Sequence, residues 1–472
     1  MTPNAEGFPP AVAARKGGSM VRFHRAASSV SRRAVMAGAA SAVAIAALTG
    51  TTAWAQDAGL GTPEAPVEVR MIANEAFANQ WQTLMVPEFN KHYPNIKVTI
   101  DGVPYVELLA KSMLDATGPS PNYDIIIADD PWVPQLAEVG ALIDLKSAEM
   151  AGWTAADYDW ADFNAAPLAA GEWKGVQYGV PLRSNMLMMF VNKALYEKAG
   201  VPLPTPKITW QEYLEQAPKL VQDTDGDGKV DAWAVDTYFV REPLTPTIWQ
   251  TIMNSNGGRL LDDNGKPAFS NEIGVAALET HRKLLEFAPT GAVSHGFSES
   301  LQAFRQGLVA TMFQWGSVFK GSAIDPKTTT LKPEQVGIQV MPVGSTGPGA
   351  HRGIWNGTVS AKSEKKQAAW AVIQWLSSKQ GEAWHSATLG VFPARKSTLA
   401  STPAEPWLVP VFDALQQAYN AAEKGQMWRI RHPRSDAAQQ ILADEVARAM
   451  AGQISAAEAL QVAAEKIEKV LN

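Results

Sequence analysis

Residues 175–201 read GVQYGVPLRSNMLMMFVNKALYEKAGV, and the fold turns on how this stretch is read. Val176 to Val180 predicts a short strand ending at Pro181. A polar trio follows, Arg183, Ser184 and Asn185, and then an unbroken apolar run from Met186 to Val191. Such a run is what a strand covered on both faces of a sheet looks like. A helix comes next, with Lys193, Glu197 and Lys198 on its wet side and Gly200 as its stop. The trio therefore lies where one sheet hands over to another, the place where α/β proteins hold ligands.

Upstream, Val67–Ile72 alternates as a strand, and Phe77, Trp81, Leu84, Met85 and Phe89 recur at helical spacing. Lys97–Ile100 is a strand, Leu108, Leu109 and Met113 mark a helix, and Tyr123–Ala128 is an apolar strand. That order, β-α-β-α-β, opens a doubly wound α/β sheet. Downstream, helices are expected around Trp210–Leu220 and Ala276–Leu285, with a loop over Asn254–Asp263 between them. In the tail, Ser455 with Glu458 forms a capping box, and Leu460, Ala463, Ala464, Ile467 and Leu471 share one helical face.

The cassette at 175–201, YDIIIADDPWVPQLAEVGALIDL (123–145), FRQGLVATMFQWGS (304–317) and GVFPARKSTL (390–399) together resemble family 1 extracellular solute-binding proteins, the sugar receptors of bacterial ABC importers. The resemblance implies a two-lobe, type II-like periplasmic-binding-protein fold, each lobe a doubly wound sheet flanked by helices and joined by hinge strands. Residues 67–180 plus 338–376 are assigned to lobe one, and 181–337 plus 377–472 to lobe two. It further implies a monomeric, periplasmic receptor that closes on a carbohydrate and docks on the membrane permease.

Residues 1–55 carry a basic leader ending at Ser31-Arg32-Arg33, a small-residue apolar run from Ala34 to Leu48, and Ala53-Trp54-Ala55. Charge, apolar stretch and A-x-A predict an export signal cleaved after Ala55. The run is too short and Ala-rich for a membrane span, which needs about 20 strongly apolar residues. SRRAVMA resembles a twin-arginine signal, although Val35-Met36 stands where that pattern prefers Phe-Leu, so an ordinary secretory signal stays open. Residues 56–66 read as a tether. Removing the leader, with its six Lys/Arg and one Glu, takes the net charge from −6 to −11, a poor balance for binding nucleic acid. The absence of cysteine excludes disulfides, thiol catalysis and a lipid anchor on cysteine. Sixteen tryptophans are more than a core of this size needs, so some are expected at a surface that meets a ligand.

A sugar presents hydroxyls that donate and accept, on a ring with a weakly apolar face. Its receptor needs carboxylates, amides and flat aromatics. In this fold they come from loops at the carboxyl ends of strands. The candidates are Asn74 and Glu75 after the first strand, then Asp129, Asp130 and Trp132 after the third. The crossing segment offers Arg183, Ser184 and Asn185. Later stretches offer Trp315, Trp355, Asn356, Arg395, Trp428 and Arg429. One of Asp129 and Asp130 is expected to cap the helix after Pro131. Trp132 and Trp355 could equally be core, and Arg183 could close a structural ion pair. Trp315, between a buried strand and Gly316-Ser317, is the leading candidate for ring stacking. Arg183, Arg395, Arg429 and Arg431 together raise the reading of a ligand that carries a carboxylate, phosphate or sulfonate; a polyol, glycerol phosphate or acidic or sulfonated sugar is the alternative ligand for the same fold.

Asp223, Asp225, Asp227, Lys229 and Asp231 have the spacing of a calcium loop, but Ala234 stands where the bidentate Glu belongs. A structural calcium and a bare turn both stay open, and no cofactor is required. G-x-S-x-G, H-E-x-x-H and a phosphate loop are absent, and the seven histidines form no i, i+4 pair. That favours a binding protein over an enzyme, with an exported glycoside hydrolase or lyase as the remaining rival.

Overall fold

The computed structural model describes residues 58–349, 351–401, 406, 409–422 and 429–472; the export-signal reading of residues 1–55 and Trp428 lie outside them. The strands that matter are β1 (Val67–Asn74), β2 (Ile96–Val103), β3 (Ile125–Asp129), β4 (Gly179–Asn192), β5 (Trp233–Asp236), β6 (Val309–Trp315), β7 (Val336–Gln339) and β8 (Arg352–Val359). The helices used below are α1 (Glu75–Gln80), α2 (Tyr105–Thr117), α3 (Pro246–Ser255), α4 (Lys366–Leu376), α5 (Lys379–Leu389), α6 (Ser435–Met450) and α7 (Ala456–Leu471). The strands run in the order β2-β1-β3-β8-β4-β6-β5, with β7 also paired to β4. β1, β2 and β3 are parallel, β8 is antiparallel to both β3 and β4, and β5 runs parallel to β6.

β4 joins the lobes because it serves both sheets. Its residues 179–186 pair with β8, and Leu187–Val191 pair with β6. Side-chain alternation explains the apolar run. Leu187, Met189 and Val191 enter the core that holds Trp249 and Phe313, while Met186, Met188 and Phe190 enter the core that holds Phe304 and Leu415. Full burial stabilises each such side chain by about 1.5–3 kcal/mol, so both faces must be apolar. The strand does not end at Pro181, as the sequence had suggested. It runs on through the proline, opposite Asn356, beside a register shift between Trp355 and Asn356. A bulge is where a strand tolerates a residue with no N–H.

Lobe one's sheet is covered on both faces. Met71, Ile125 and Ile127 meet Trp370 and Ile373 of α4, and Ile72, Ile126 and Ala128 meet Leu108 and Leu109 of α2. Two passages between lobes fall elsewhere than 338 and 377. β7 pairs with the lobe-two half of β4, and Ile338 and Val340 are buried with lobe two, so lobe one resumes at β8. α5 stays with lobe one: Trp384 and Leu389 pack on its core, and the indole of Trp81 donates to His385 at 2.9 Å. The chain returns to lobe two around Phe392, which packs beside Phe412 and Leu415. Helix propensity and apolar pattern continue across Ser377, so composition marks no boundary there. In the tail, Ser455 accepts from the Glu458 amide at 3.1 Å, which is half of the expected capping box. Among the described residues no helix is long and apolar enough to cross a membrane.

Candidate ligand-binding site

Lobe one brings a row of side chains to its edge. Trp355 on β8 stands opposite Asp129 on β3 and opposite Arg183 on β4, so the three lie side by side across adjacent strands. Aromatic rings close round them. Trp355 meets Trp132 edge to face at 5.7 Å between centroids and Phe77 at 5.2 Å, and Tyr105 lies 5.0 Å from Trp132. Such pairs contribute about 0.5–1.5 kcal/mol beyond area burial, which makes the wall rigid. Trp132 is buried and Trp355 half-buried, so both pack while only Trp355 keeps surface to offer.

Asp129 caps the turn that follows, accepting from the Asp130 amide at 3.0 Å, and it also accepts from the Tyr105 hydroxyl at 2.9 Å. Asn74 caps α1 through the Ala76 amide at 2.8 Å, while Glu75 is exposed in the first turn of that helix. Arg429 reaches across from lobe two, where its neighbour Ile430 is buried. It donates to Asp129 at 2.7 and 2.5 Å and also to Asp130. Burial would lower the pKa of Arg429, but the two carboxylates outweigh that and raise it. Burial pushes Asp130 up to about 7, against the pull of Arg429. Two further bonds join the lobes beside this pair. Arg431 donates to the carbonyl of Ala169 at 2.9 Å, and the Ser435 hydroxyl donates to that of Pro131 at 2.6 Å.

On the lobe-two side, the buried Trp315 at the end of β6 packs against β8: a Cβ at Gly353 would come within 2.9 Å of its ring. His351 meets that ring edge to face at 5.7 Å. Burial, with Arg429 and Arg352 nearby, holds His351 well below the usual imidazole range, so it is neutral. Both its ring nitrogens are buried and lack hydrogen-bond partners among the described residues, as do both amide atoms of Asn254 on α3. Asn254 shares a helix face with Thr247, Gln250 and Thr251, all buried, and Gln250 lines a small cavity with Arg429. Neither residue was singled out from the sequence. His351 is a lone histidine, and the sequence pattern places Asn254 at the start of a loop. The usable signal was the polar i, i+3, i+4, i+7 spacing on a helix whose faces are all covered.

Other candidates serve the scaffold. Arg395 is fully buried: it donates to the carbonyls of Ser377 at 2.6 Å, Tyr158 at 2.7 Å and Asp159 at 3.0 Å, and to Asp162 at 3.3 Å. Asn356 is wedged between Gly171 and Gly179, away from the row. Ser184 points the opposite way from Arg183 and forms a bridge with Phe392. Asn185 ties the crossing strand to the loop after Trp315, donating to the Ser317 hydroxyl at 2.8 Å and accepting from its amide at 3.0 Å.

The Asp223–Asp231 loop stands apart from the cleft. Asp223 accepts from the amides of Gly226 and Gly228 at 2.6 and 2.7 Å, and Asp231 turns away to Thr224. Carboxylate oxygens of Asp223, Asp225 and Asp227 lie within 4.8 Å of one another, and the Lys229 ammonium lies 3.6 Å from Asp227. Three carboxylates beside a cation fall short of the six to eight oxygens calcium takes, so the set fits that ion poorly.

Two α/β lobes sharing a strand, with polar and aromatic side chains gathered at their junction, have the architecture of a ligand-capturing receptor. Residues 74–383 match the model of the bacterial extracellular solute-binding proteins, and the chain belongs to that family. A relative described as a probable amino-acid ABC transporter periplasmic-binding protein, from Sinorhizobium fredii, is 26% identical over 354 residues, covering 74% of this chain and 78% of the relative. The mannitol-binding protein of Pseudomonas aeruginosa is 27% identical over 243 residues, covering 50% of this chain and 53% of that one. An ABC transporter solute-binding protein from Agrobacterium radiobacter, solved with ribitol, superposes with a TM-score of 0.72 at 28% identity, covering 85% of this chain and 98% of that one.

Proposed function

We propose that this protein captures a sugar or sugar alcohol between its lobes in the periplasm and delivers it to an ABC permease. The observation that carries this reading is the chemistry of the unpartnered groups. Neutral His351 offers one donor and one acceptor beside Trp315, and the Asn254 amide offers two N–H donors and an acceptor oxygen; both groups are buried and without partners among the described residues. A hydroxyl also both donates and accepts, so a polyhydroxylated solute satisfies such groups in pairs. The relatives named for mannitol and ribitol support the same class. Lobe closure follows the hinge motion of periplasmic binding proteins, with ligand favouring whichever form it contacts more. The protein is not a hydrolase on this reading. Asp129 and Asp130 hold one guanidinium between them, whereas glycoside hydrolysis places two carboxyl groups on either side of the scissile bond.

Calorimetry against sugars, sugar alcohols and amino acids tests the proposal. One-to-one binding of a polyhydroxylated compound without product formation is expected. Binding of amino acids alone, or turnover of a glycoside, would overturn it.

A further inference from the structure

Of the four arginines flagged in the sequence, Arg183 is the one left without a counter-group among the described residues. Arg429 is neutralised by Asp129 and Asp130, Arg395 by Asp162 and three carbonyls, and Arg431 donates to lobe-one carbonyls. Arg183 lies over the Phe77 ring at 4.7 Å, in the row with Trp355 and Asp129. Its Nη1 is buried and has no hydrogen-bond partner among the described residues. Burial lowers its pKa to about 10, and no charged neighbour contributes to that shift, so the group stays cationic at neutral pH. A buried charge is costly unless paired, and an aromatic face offsets only part of that cost. A hydroxyl would satisfy the N–H and leave the charge uncompensated; an anionic oxygen answers both needs.

We infer that the cleft takes a polyhydroxylated acid, with its carboxylate or phosphate oxygen on Arg183 and its hydroxyls toward Asn254 and His351. This rests on the sugar or sugar-alcohol reading above and narrows it. The acid head lies on lobe one and the hydroxylated tail meets lobe two, so the ligand bridges the gap. A matched pair isolates the charge, because carbon skeleton and most hydroxyls are held constant.

Isothermal calorimetry would compare D-mannitol with D-mannonate, ribitol with ribonate, and glucose with glucuronate, at fixed pH and ionic strength. The acid of at least one pair is expected to bind at least tenfold more tightly than its neutral partner. Arg183→Met should abolish that preference, and Arg183→Lys, which keeps a positive charge, should retain part of it. A neutral member that binds as tightly as its acid, or more so, overturns the inference while leaving a neutral-polyol receptor in place. A preference for acids that survives in Arg183→Met also overturns it, since the charge is then read elsewhere. No binding by any member removes the broader reading along with this one. The ligand-free melting temperature of each variant separates lost recognition from lost folding.

Discussion

Replacing Arg429 with methionine should open the protein rather than unfold it. The guanidinium holds Asp129 at 2.7 and 2.5 Å and also holds Asp130, with all three side chains buried. Removing one partner of a buried pair costs about 3–5 kcal/mol, because it strands a charge away from water. In a single packed domain that cost would fall on folding. Here the partners sit on opposite lobes, and separating them lets water reach both carboxylates. The loss therefore falls on the form in which the lobes touch. About 3–5 kcal/mol corresponds to a shift of roughly 150- to 5,000-fold toward the open form. A ligand that needs both lobes then binds more weakly by the fraction of protein still able to close. Small-angle scattering of ligand-free protein should show a larger radius of gyration for Arg429→Met than for the wild type, and calorimetry a weaker affinity. Superimposable scattering with unchanged affinity would refute the reasoning. A collapse of cooperative unfolding would also refute it, by showing that the pair supports the fold itself.

Asp130 adds a pH dependence to the same contact. In the closed form its pKa is pushed up to about 7, whereas a hydrated carboxyl titrates near its ordinary 3.8. The closed form therefore binds the extra proton first, so closure strengthens as pH falls below neutral, with a slope of at most one proton per pH unit. Ligand affinity measured from pH 5 to 8 should decline with that slope and flatten in Asp130→Asn; parallel profiles would remove Asp130 as the cause. Trp315→Ala should weaken binding at least tenfold, because the indole lies on Gly353 and beside His351. Unchanged affinity would take Trp315 out of the site. For the Asp223–Asp231 loop, the melting temperature should be equal in millimolar calcium and in chelator; a rise with calcium would show that an ion is held after all.

Much of the scaffold is legible residue by residue. The run 186–191 reads as a doubly covered strand, since six apolar residues bounded by polar positions match the length of a strand more than of a helix. The β-α-β-α-β order of residues 67–128 likewise specified the first lobe. Elements lacking such a pattern were missed or misplaced. α3 carries polar residues at Thr247, Gln250, Thr251 and Asn254 where a core helix is expected to be apolar, and all four are buried. The family resemblance sets a crossing near Ser377 and so gives α5 to lobe two, where composition marks no boundary, while Trp384 and His385 tie it to lobe one.

What the linear order determined by itself was the alternation of faces, the caps and the strand ends to which polar groups are delivered, because these depend on neighbours a few positions apart. It could not tell one arginine from another. Arg183, Arg395, Arg429 and Arg431 are chemically identical in the chain, and their roles separate only through carbonyls and carboxylates hundreds of positions away. Tertiary structure decided which of these charges are answered by groups of the protein itself, because electrostatic pairing depends on distance in space and not on separation along the sequence.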